Sequence, residues 1–163
     1  MPPIVSIVGK SGSGKTTFLE KLIREIASRG YKIATIKHTH HAISFDQPGK
    51  DSWRHARAGA AITMCSSSAE IQIIKPVDRE VTVEELARYF GPEYDLVLTE
   101  GFSGGGSTPK IEIHRKEARL PLLIPENLIA IVTDEPLEIE ARQFGLDDVK
   151  GVADFIVEKY LKL

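Results

Sequence analysis

The chain of 163 residues holds one cysteine, one tryptophan and 7% aromatic residues, and carries no excess of either charge. A lone Cys65 closes no internal disulfide, and no Cys/His spacing suggests a structural zinc site, so the sequence predicts a protein of a reducing compartment. No segment approaches the roughly 20 apolar residues of a membrane helix. The first apolar run, Ile4-Val5-Ser6-Ile7-Val8, has no basic stretch ahead of it and does not read as a secretory leader. The expectation is a soluble cytoplasmic protein with no membrane partner. Lys and Arg number 21 against 23 Asp and Glu, a formal net charge of -2, which argues against binding nucleic acid through bulk charge. There is no repeat and no low-complexity linker. With 42% hydrophobic and 27% charged residues, residues 1–163 read as a single globular domain, able to bury roughly 70% of its unfolded surface.

The apolar pattern alternates between short β-rich runs and segments of helical period. Ile4–Val8 reads as a buried strand. Phe18, Leu19, Leu22, Ile23 and Ile26 share one helical face, and Gly30 is a natural stop. Ile33–Ile36 is a second strand, and a short helix begins near Asp51. The runs 61–65 and 70–74, separated by Ser66-Ser67-Ser68-Ala69, fit a hairpin, so the sheet is expected to be mixed. Thr82 with Glu85 three positions on is a capping box, opening a helix with Val83, Leu86, Ala87 and Phe90 inside. Leu96–Thr99 is a central strand ending on Glu100, and Leu128–Thr133 another buried strand. Ile111 and Ile113 alternate with Glu112 and His114, the pattern of a strand with one wet face, as at an edge. The loop 103–107 is expected to be mobile, and residues 149–161 form one amphipathic helix. The fold class is α/β: a three-layer sandwich of the P-loop NTPase type, its mostly parallel, mixed sheet flanked by helices.

Gly9-Lys10-Ser11-Gly12-Ser13-Gly14-Lys15-Thr16 matches G-x-x-x-x-G-K-[ST]. Glycines let the backbone turn its N–H groups around phosphate oxygens, and the helix that follows adds the positive end of its dipole. Lys15 would reach the β- and γ-phosphates, the Thr16 hydroxyl would ligate Mg²⁺, and Thr17 completes the nucleotide-binding run. Lys10 has two readings. It is an exposed, solvated lysine, or it resembles the early lysine of the partitioning and nitrogenase-iron-protein loops, which reaches a partner's nucleotide across a dimer.

A phosphate loop needs an acid near the metal. Glu100, at a strand end and followed by Gly101, is one candidate; Asp51 is the other, with helix capping as its alternative role. Asp46 is a weaker candidate. Lys15, Glu100 and Asp51 are therefore the candidate catalytic groups, and Thr16, Asp51 and Glu100 the candidate Mg²⁺ ligands. Thr133-Asp134 resembles the strand-end element with which GTPases grip guanine, a carboxylate accepting from the base N1–H and N2–H₂. The lysine of that element is absent here, and an ordinary turn Asp before Pro136 is the alternative.

Lys37, His38, His40, His41, Lys50, Arg54, His55 and Arg57 crowd twenty-one residues near the predicted carboxyl edge of the sheet. They form a second anion site, a transition-metal site through His38, His40 and His41, or a solvated polar loop. Trp53 and Arg57, at i and i+4, suit surface packing or ligand recognition.

Taken together, the phosphate loop, Ile36-Lys37-His38-Thr39-His40-His41, residues 46–55 (D-Q-P-G-K-D-S-W-R-H), Ala58-Gly59-Ala60 and Leu98-Thr99-Glu100-Gly101-Phe102 resemble the MobB family, the small GTP-binding adaptors of molybdopterin-guanine dinucleotide biosynthesis. The resemblance covers about positions 4 to 134. It implies a homodimeric P-loop protein that binds GTP with Mg²⁺, hydrolyses it poorly, and assists the guanylyltransferase that joins GMP to molybdopterin. It also makes Lys37, His38, His40, His41, Lys50, Arg54 and Arg57 a candidate surface for the pterin's phosphate. A metallochaperone-type GTPase using the histidines and a small-molecule kinase are the alternatives. No arginine finger is evident in the loop, and no Gln follows Glu100-Gly101, which agrees with slow hydrolysis.

Overall fold

Ile4-Val5-Ser6-Ile7-Val8 lacks the polar alternation of a half-wet strand, and it forms β1 (Ile4–Val8) with every residue buried. The computed structural model describes residues 1–39, 41, 43–104 and 106–162. In chain order, β1 is followed by α1 (Lys15–Ser28), β2 (Ile33–Lys37), α2 (Asp51–Arg57), β3 (Thr63–Ser66), β4 (Ile71–Ile74), α3 (Val83–Ala87), β5 (Leu96–Glu100), β6 (Lys110–Ile113), β7 (Leu128–Thr133), β8 (Arg142–Gly145) and α4 (Val149–Ile156). The chain folds as two compact units, one made of Met1–His38 with Thr82–Leu163 and the other of Thr39–Val81.

In the larger unit six strands form one sheet in the order β2-β5-β1-β6-β7-β8, each pairing parallel. All six carboxyl ends therefore lie along one edge. β1 is interior, with β5 and β2 on one side and β6, β7 and β8 on the other, so the loop after β1 opens where the strand order reverses. Successive strand residues face opposite layers. Val5, Ile7, Leu96 and Leu98 join Phe18, Leu19, Leu22 and Ile26 of α1 and Val152, Ala153 and Ile156 of α4 in the main core. Ile4, Ala34 and Val97 pack on the other face against Val83 and Ala87 of α3. Helices thus cover both faces.

The local signals for helix ends act as expected. α1 stops at Arg29, with Gly30 in the left-handed region at φ 92. The Thr82 side chain accepts the Glu85 N–H at 3.2 Å, and Glu85 accepts the Thr82 N–H at 3.0 Å. The expected helix over 149–161 is α-helical only to Ile156. A π-helical turn, Val157–Leu161, completes it and still packs Tyr160 and Leu161 against the core.

Two expectations are corrected, and one strand had no sequence signal. β6 is not an edge strand: it lies between β1 and β7 with all four residues buried. Its charged residues are satisfied internally. Glu112 accepts the N–H groups of Leu123 and Ile124 at 2.7 and 3.0 Å. Lys110 donates to the carbonyls of Gly106, Thr108 and Glu126 at 3.3 to 3.4 Å. Burial foremost pulls the Lys110 ammonium below its usual pKa, against the charges of Glu126 and Glu84. The hairpin exists, but as a separate two-stranded sheet of β3 and β4, so the antiparallel pairing stands outside the six-stranded sheet. β8 was not foreseen, because Phe144 is its one buried residue and a four-residue strand shows no period. Within the loop 103–107, Gly105 lies outside the described residues; Gly106 and Ser107 are bonded to Lys110 and Glu84.

In the smaller unit the β3–β4 turn is closed by Ser67, whose hydroxyl accepts the N–H groups of Ala69 and Glu70, both at 3.1 Å. Met64 stands opposite Ile73 and Ser66 opposite Ile71. Met64, Ile71 and Ile73 share one face of the hairpin and are exposed.

Leu22, fully buried between α1 and the sheet, tests this packing. Leu22→Ala should cost about 3 kcal/mol, read as a lowered urea midpoint at unchanged slope.

Candidate functional site

The loop from Gly9 to Gly14 is shaped by close approach. A Cβ on Gly9 would stand 2.5 Å from the Ile113 carbonyl oxygen and 2.8 Å from Ser13 Oγ, at a φ of 145 that side chains avoid. Gly14, at φ 89, is the N-cap of α1; it supplies no side-chain cap, and the first turn carries no acid. The leading N–H groups of α1 therefore keep their capacity to bind an anion, reinforced by the helix dipole. Inside the loop, the Lys10 carbonyl accepts the Ser13 N–H at 3.2 Å and the Lys15 ammonium at 2.8 Å. The side chain of Lys10 is exposed, as are Ser11, Gly12, Thr16 and Thr17, while Ser13 is buried and its hydroxyl has no hydrogen-bond partner among the described residues.

Strand register brings the next groups to the loop. Glu100 pairs with Ile7 of β1 on one side and with Lys37 of β2 on the other. Its Oε1 accepts the Thr16 hydroxyl at 2.7 Å and the Lys37 ammonium at 3.0 Å. Burial is the largest single influence on Glu100 and favours the neutral acid. The hydrogen bonds from Thr16 and Lys37, with the charges of Lys37 and Lys15, outweigh it and hold the carboxyl below the usual range. Lys15 is pulled below the ordinary lysine value, first by burial and also by Lys37, against the attraction of Glu100. The turn beyond Glu100 packs on the end of β2. The His38 N–H donates to the Glu100 carbonyl at 2.9 Å, a Cβ on Gly101 would stand 3.1 Å from the His38 carbonyl oxygen, and Phe102 stacks on His38 at 4.3 Å. The K-H and E-G-F segments are thus one structural piece.

At the end of β7, Thr133 closes a tight turn: its hydroxyl accepts the Glu135 N–H and donates to the Glu135 carbonyl, each at 3.2 Å. Asp134 is exposed, and its Oδ1 accepts the Lys116 N–H at 2.8 Å. Thr133 and Asp134 stand on the carboxyl edge, on the β6 side of β1, while Glu100 and Lys37 stand on the other.

The remaining candidates belong to the smaller unit. Asp51 is the first residue of α2, exposed, 3.8 Å from Arg54; Lys50 holds the capping position, so the capping role weighed for Asp51 is not the one it takes. Its charge instead complements the helix amino end. Arg57 lies over the Trp53 ring at 5.2 Å, the surface packing the spacing allows. His41 is exposed, and His40 lies outside the described residues. Among the described residues no three His, Cys, Asp or Glu side chains gather as a metal site.

One residue was missed. Arg115, just past β6, presses on the phosphate loop: a Cβ on Gly14 would stand 2.9 Å from its Nε. Only the parallel pairing of β6 with β1 puts it there, so no local signal could have found it.

With this geometry in view, the comparisons are specific. The family model described as "Molybdopterin guanine dinucleotide synthesis protein B", MobB, matches residues 4–134. The chain is similar to the molybdopterin-guanine dinucleotide biosynthesis adapter protein of Haemophilus influenzae, 40% identical over 156 residues, 94% of this chain and 87% of that protein. It is 38% identical to the adapter protein of Escherichia coli over 167 residues, 97% and 93% of the two chains. A crystal structure of molybdopterin-guanine biosynthesis protein B superposes with a TM-score of 0.76 at 30% identity, covering 95% and 98%. The crystal structure of Bacillus subtilis MobB gives 0.75 at 28% identity, covering 97% and 98%.

The Glu100 pairings make a pH test. A carboxyl whose folded pKa is depressed adds stability that is full above its unfolded value, about 4.3, and fades as pH falls through the folded value. Glu100→Gln should therefore unfold at lower urea than the parent at pH 7, and the gap between them should narrow as pH falls below the ordinary glutamate value.

Proposed function

The chain belongs to the MobB family, and on that premise we propose that it is a GTP-binding adaptor, with at most weak GTPase activity, that assists the attachment of GMP to molybdopterin. The observation that carries this reading is the uncapped amino end of α1 beneath a glycine loop, with Lys15, Thr16 and Glu100 converging on it. A triphosphate suits that cradle: backbone N–H groups take its oxygens, and Lys15 adds a point charge. The Thr16 hydroxyl and the Glu100 carboxylate are oxygen donors of the kind Mg²⁺ takes, and Asp51 is the further acid of the proposal. Bound Mg²⁺ would neutralise phosphate charge. Thr133 and Asp134 would read guanine, with a carboxylate accepting two N–H groups that adenine does not offer.

Slow turnover follows from the same inventory. The residue after Glu100-Gly101 is Phe102, stacked on His38, and no glutamine stands there to orient water. The partners of this reading are the molybdopterin guanylyltransferase and molybdopterin itself. Candidate donors for the pterin's phosphate, as cationic or titratable groups, are Lys37 and His38 in the larger unit and His41, Lys50, Arg54 and Arg57 in the smaller; His40, the remaining candidate, lies outside the described residues.

The adaptor is also proposed to be a homodimer. A two-stranded sheet is marginal alone, and the hairpin exposes Met64, Ile71 and Ile73 on one face, at 61%, 67% and 49%. A second copy, bringing the same apolar face about a two-fold axis, is the self-complementary occupant.

Calorimetry with GTP, GDP and ATP, with and without Mg²⁺, tests the nucleotide reading. Lys15→Ala should abolish GTP binding at an unchanged melting temperature. Asp134→Asn should erode the preference for GTP over ATP, and unaltered selectivity would remove Asp134 from the base site. For the dimer, Met64→Lys combined with Ile73→Lys should halve the mass read by light scattering; an unchanged dimer would move the interface elsewhere.

A further inference from the structure

Arg115 sits where a cation has a use that the family reading does not assign. Its Nε lies 2.9 Å, and one terminal nitrogen 3.2 Å, from where a Cβ on Gly14 would be, so the guanidinium packs directly on the last turn of the phosphate loop. The Nε is buried and has no hydrogen-bond partner among the described residues. An arginine cannot shed its charge to relieve that burial, and an orphaned buried donor is destabilising until an acceptor arrives. The chain beside Arg115 is tied to the proposed base site: the Lys116 N–H donates to Asp134 Oδ1 at 2.8 Å. Arg115 follows β6 and so leaves the sheet between the phosphate loop it packs on and the segment bonded to Asp134, whereas Thr16, Lys37 and Glu100 cluster on the β5 side of β1.

We infer that Arg115 binds the phosphate nearest the nucleoside, the α-phosphate, of the guanine nucleotide. The inference rests on the nucleotide reading above and names a further residue of that site. A planar fork of N–H donors matches phosphate oxygens, and an acceptor there would satisfy the orphaned Nε. Because GDP and GTP share this phosphate, Arg115 serves both alike. The γ-phosphate falls to the opposite cluster.

The test is calorimetry of the full chain with GTP and GDP in Mg²⁺, for the parent, Arg115→Ala, Arg115→Gln and Arg115→Lys, alongside melting without nucleotide. Arg115→Ala and Arg115→Gln should weaken both nucleotides by the same factor, about ten- to a hundredfold, and Arg115→Lys should recover part of the loss. Melting of the Gln variant should match the parent, since Gln keeps much of the packing against Gly14. If Arg115→Ala melts early, the Gln and Lys variants carry the decision. Parental binding by Arg115→Gln overturns the inference, as does a loss confined to GTP, which would put the guanidinium at the γ-phosphate. Equal losses in the Gln and Lys variants, accompanied by early melting in both, would make Arg115 a prop for the loop and also overturn it. A parent chain that binds neither nucleotide, or Lys15→Ala binding as the parent does, sinks the nucleotide reading itself; a parent that binds while Arg115→Gln is unaffected sinks only the role of Arg115.

Discussion

A single carboxylate oxygen, Glu100 Oε1, takes the hydroxyl of Thr16 and the ammonium of Lys37, and the site depends on that sharing. Thr16 is on α1, Lys37 ends β2, and Glu100 ends β5 between β2 and β1. The bond set therefore joins the helix that would face phosphate to both strands beside it. Burial acting alone would raise the pKa of this acid; two hydrogen bonds and two ammonium charges outweigh it and favour the carboxylate. The Glu100 side chain reaches from the strand end to the Thr16 hydroxyl at 2.7 Å while holding Lys37 at 3.0 Å.

The parallel sheet makes the convergence possible. Six strands running the same way put the loop after β1, the acid after β5, Arg115 after β6 and Asp134 after β7 along one edge. The same topology places charges inside, because a strand flanked on both sides and covered on both faces has no wet surface. Lys110 and Glu112 are the consequence. Each is paired with backbone groups rather than with an opposite side chain: Glu112 with two N–H groups, Lys110 with three carbonyls. These bonds anchor the segments 106–108 and 123–126, which lead into β6 and β7. Buried ions are tolerated when their hydrogen-bonding capacity is filled, and here the chain's own turns fill it.

Legibility in the sequence tracked how local each feature is. The phosphate loop, the capping box at Thr82 and Glu85, the Gly30 stop and the apolar stripe of α1 depend on neighbours within a few residues, and each stands where the pattern put it. Thr133 and Asp134 were placed at a strand end for the same reason. The 110–114 run misled because alternation of apolar and charged residues has two physical origins, a face open to water and a face whose charges are met by buried backbone. Periodicity does not separate them. β8 was invisible because one buried phenylalanine in four residues carries no period, and the hairpin was visible while its independence from the main sheet was not.

The sequence by itself determined the chemistry on offer: a glycine loop followed by Lys15 and Thr16, a strand-end acid, a strand-end aspartate, and membership of a family through motifs spread over most of the chain. Those are properties of short stretches, and backbone conformation over a few residues is governed by local sterics and hydrogen bonds. Only the tertiary structure decided which of these groups meet. Glu100 is 84 residues from Thr16 in sequence and 2.7 Å from it in space, and Arg115 reaches Gly14 through the pairing of β6 with β1. Strand order and register are settled by which faces must be buried together, a condition on the whole sheet that no single stretch of residues contains.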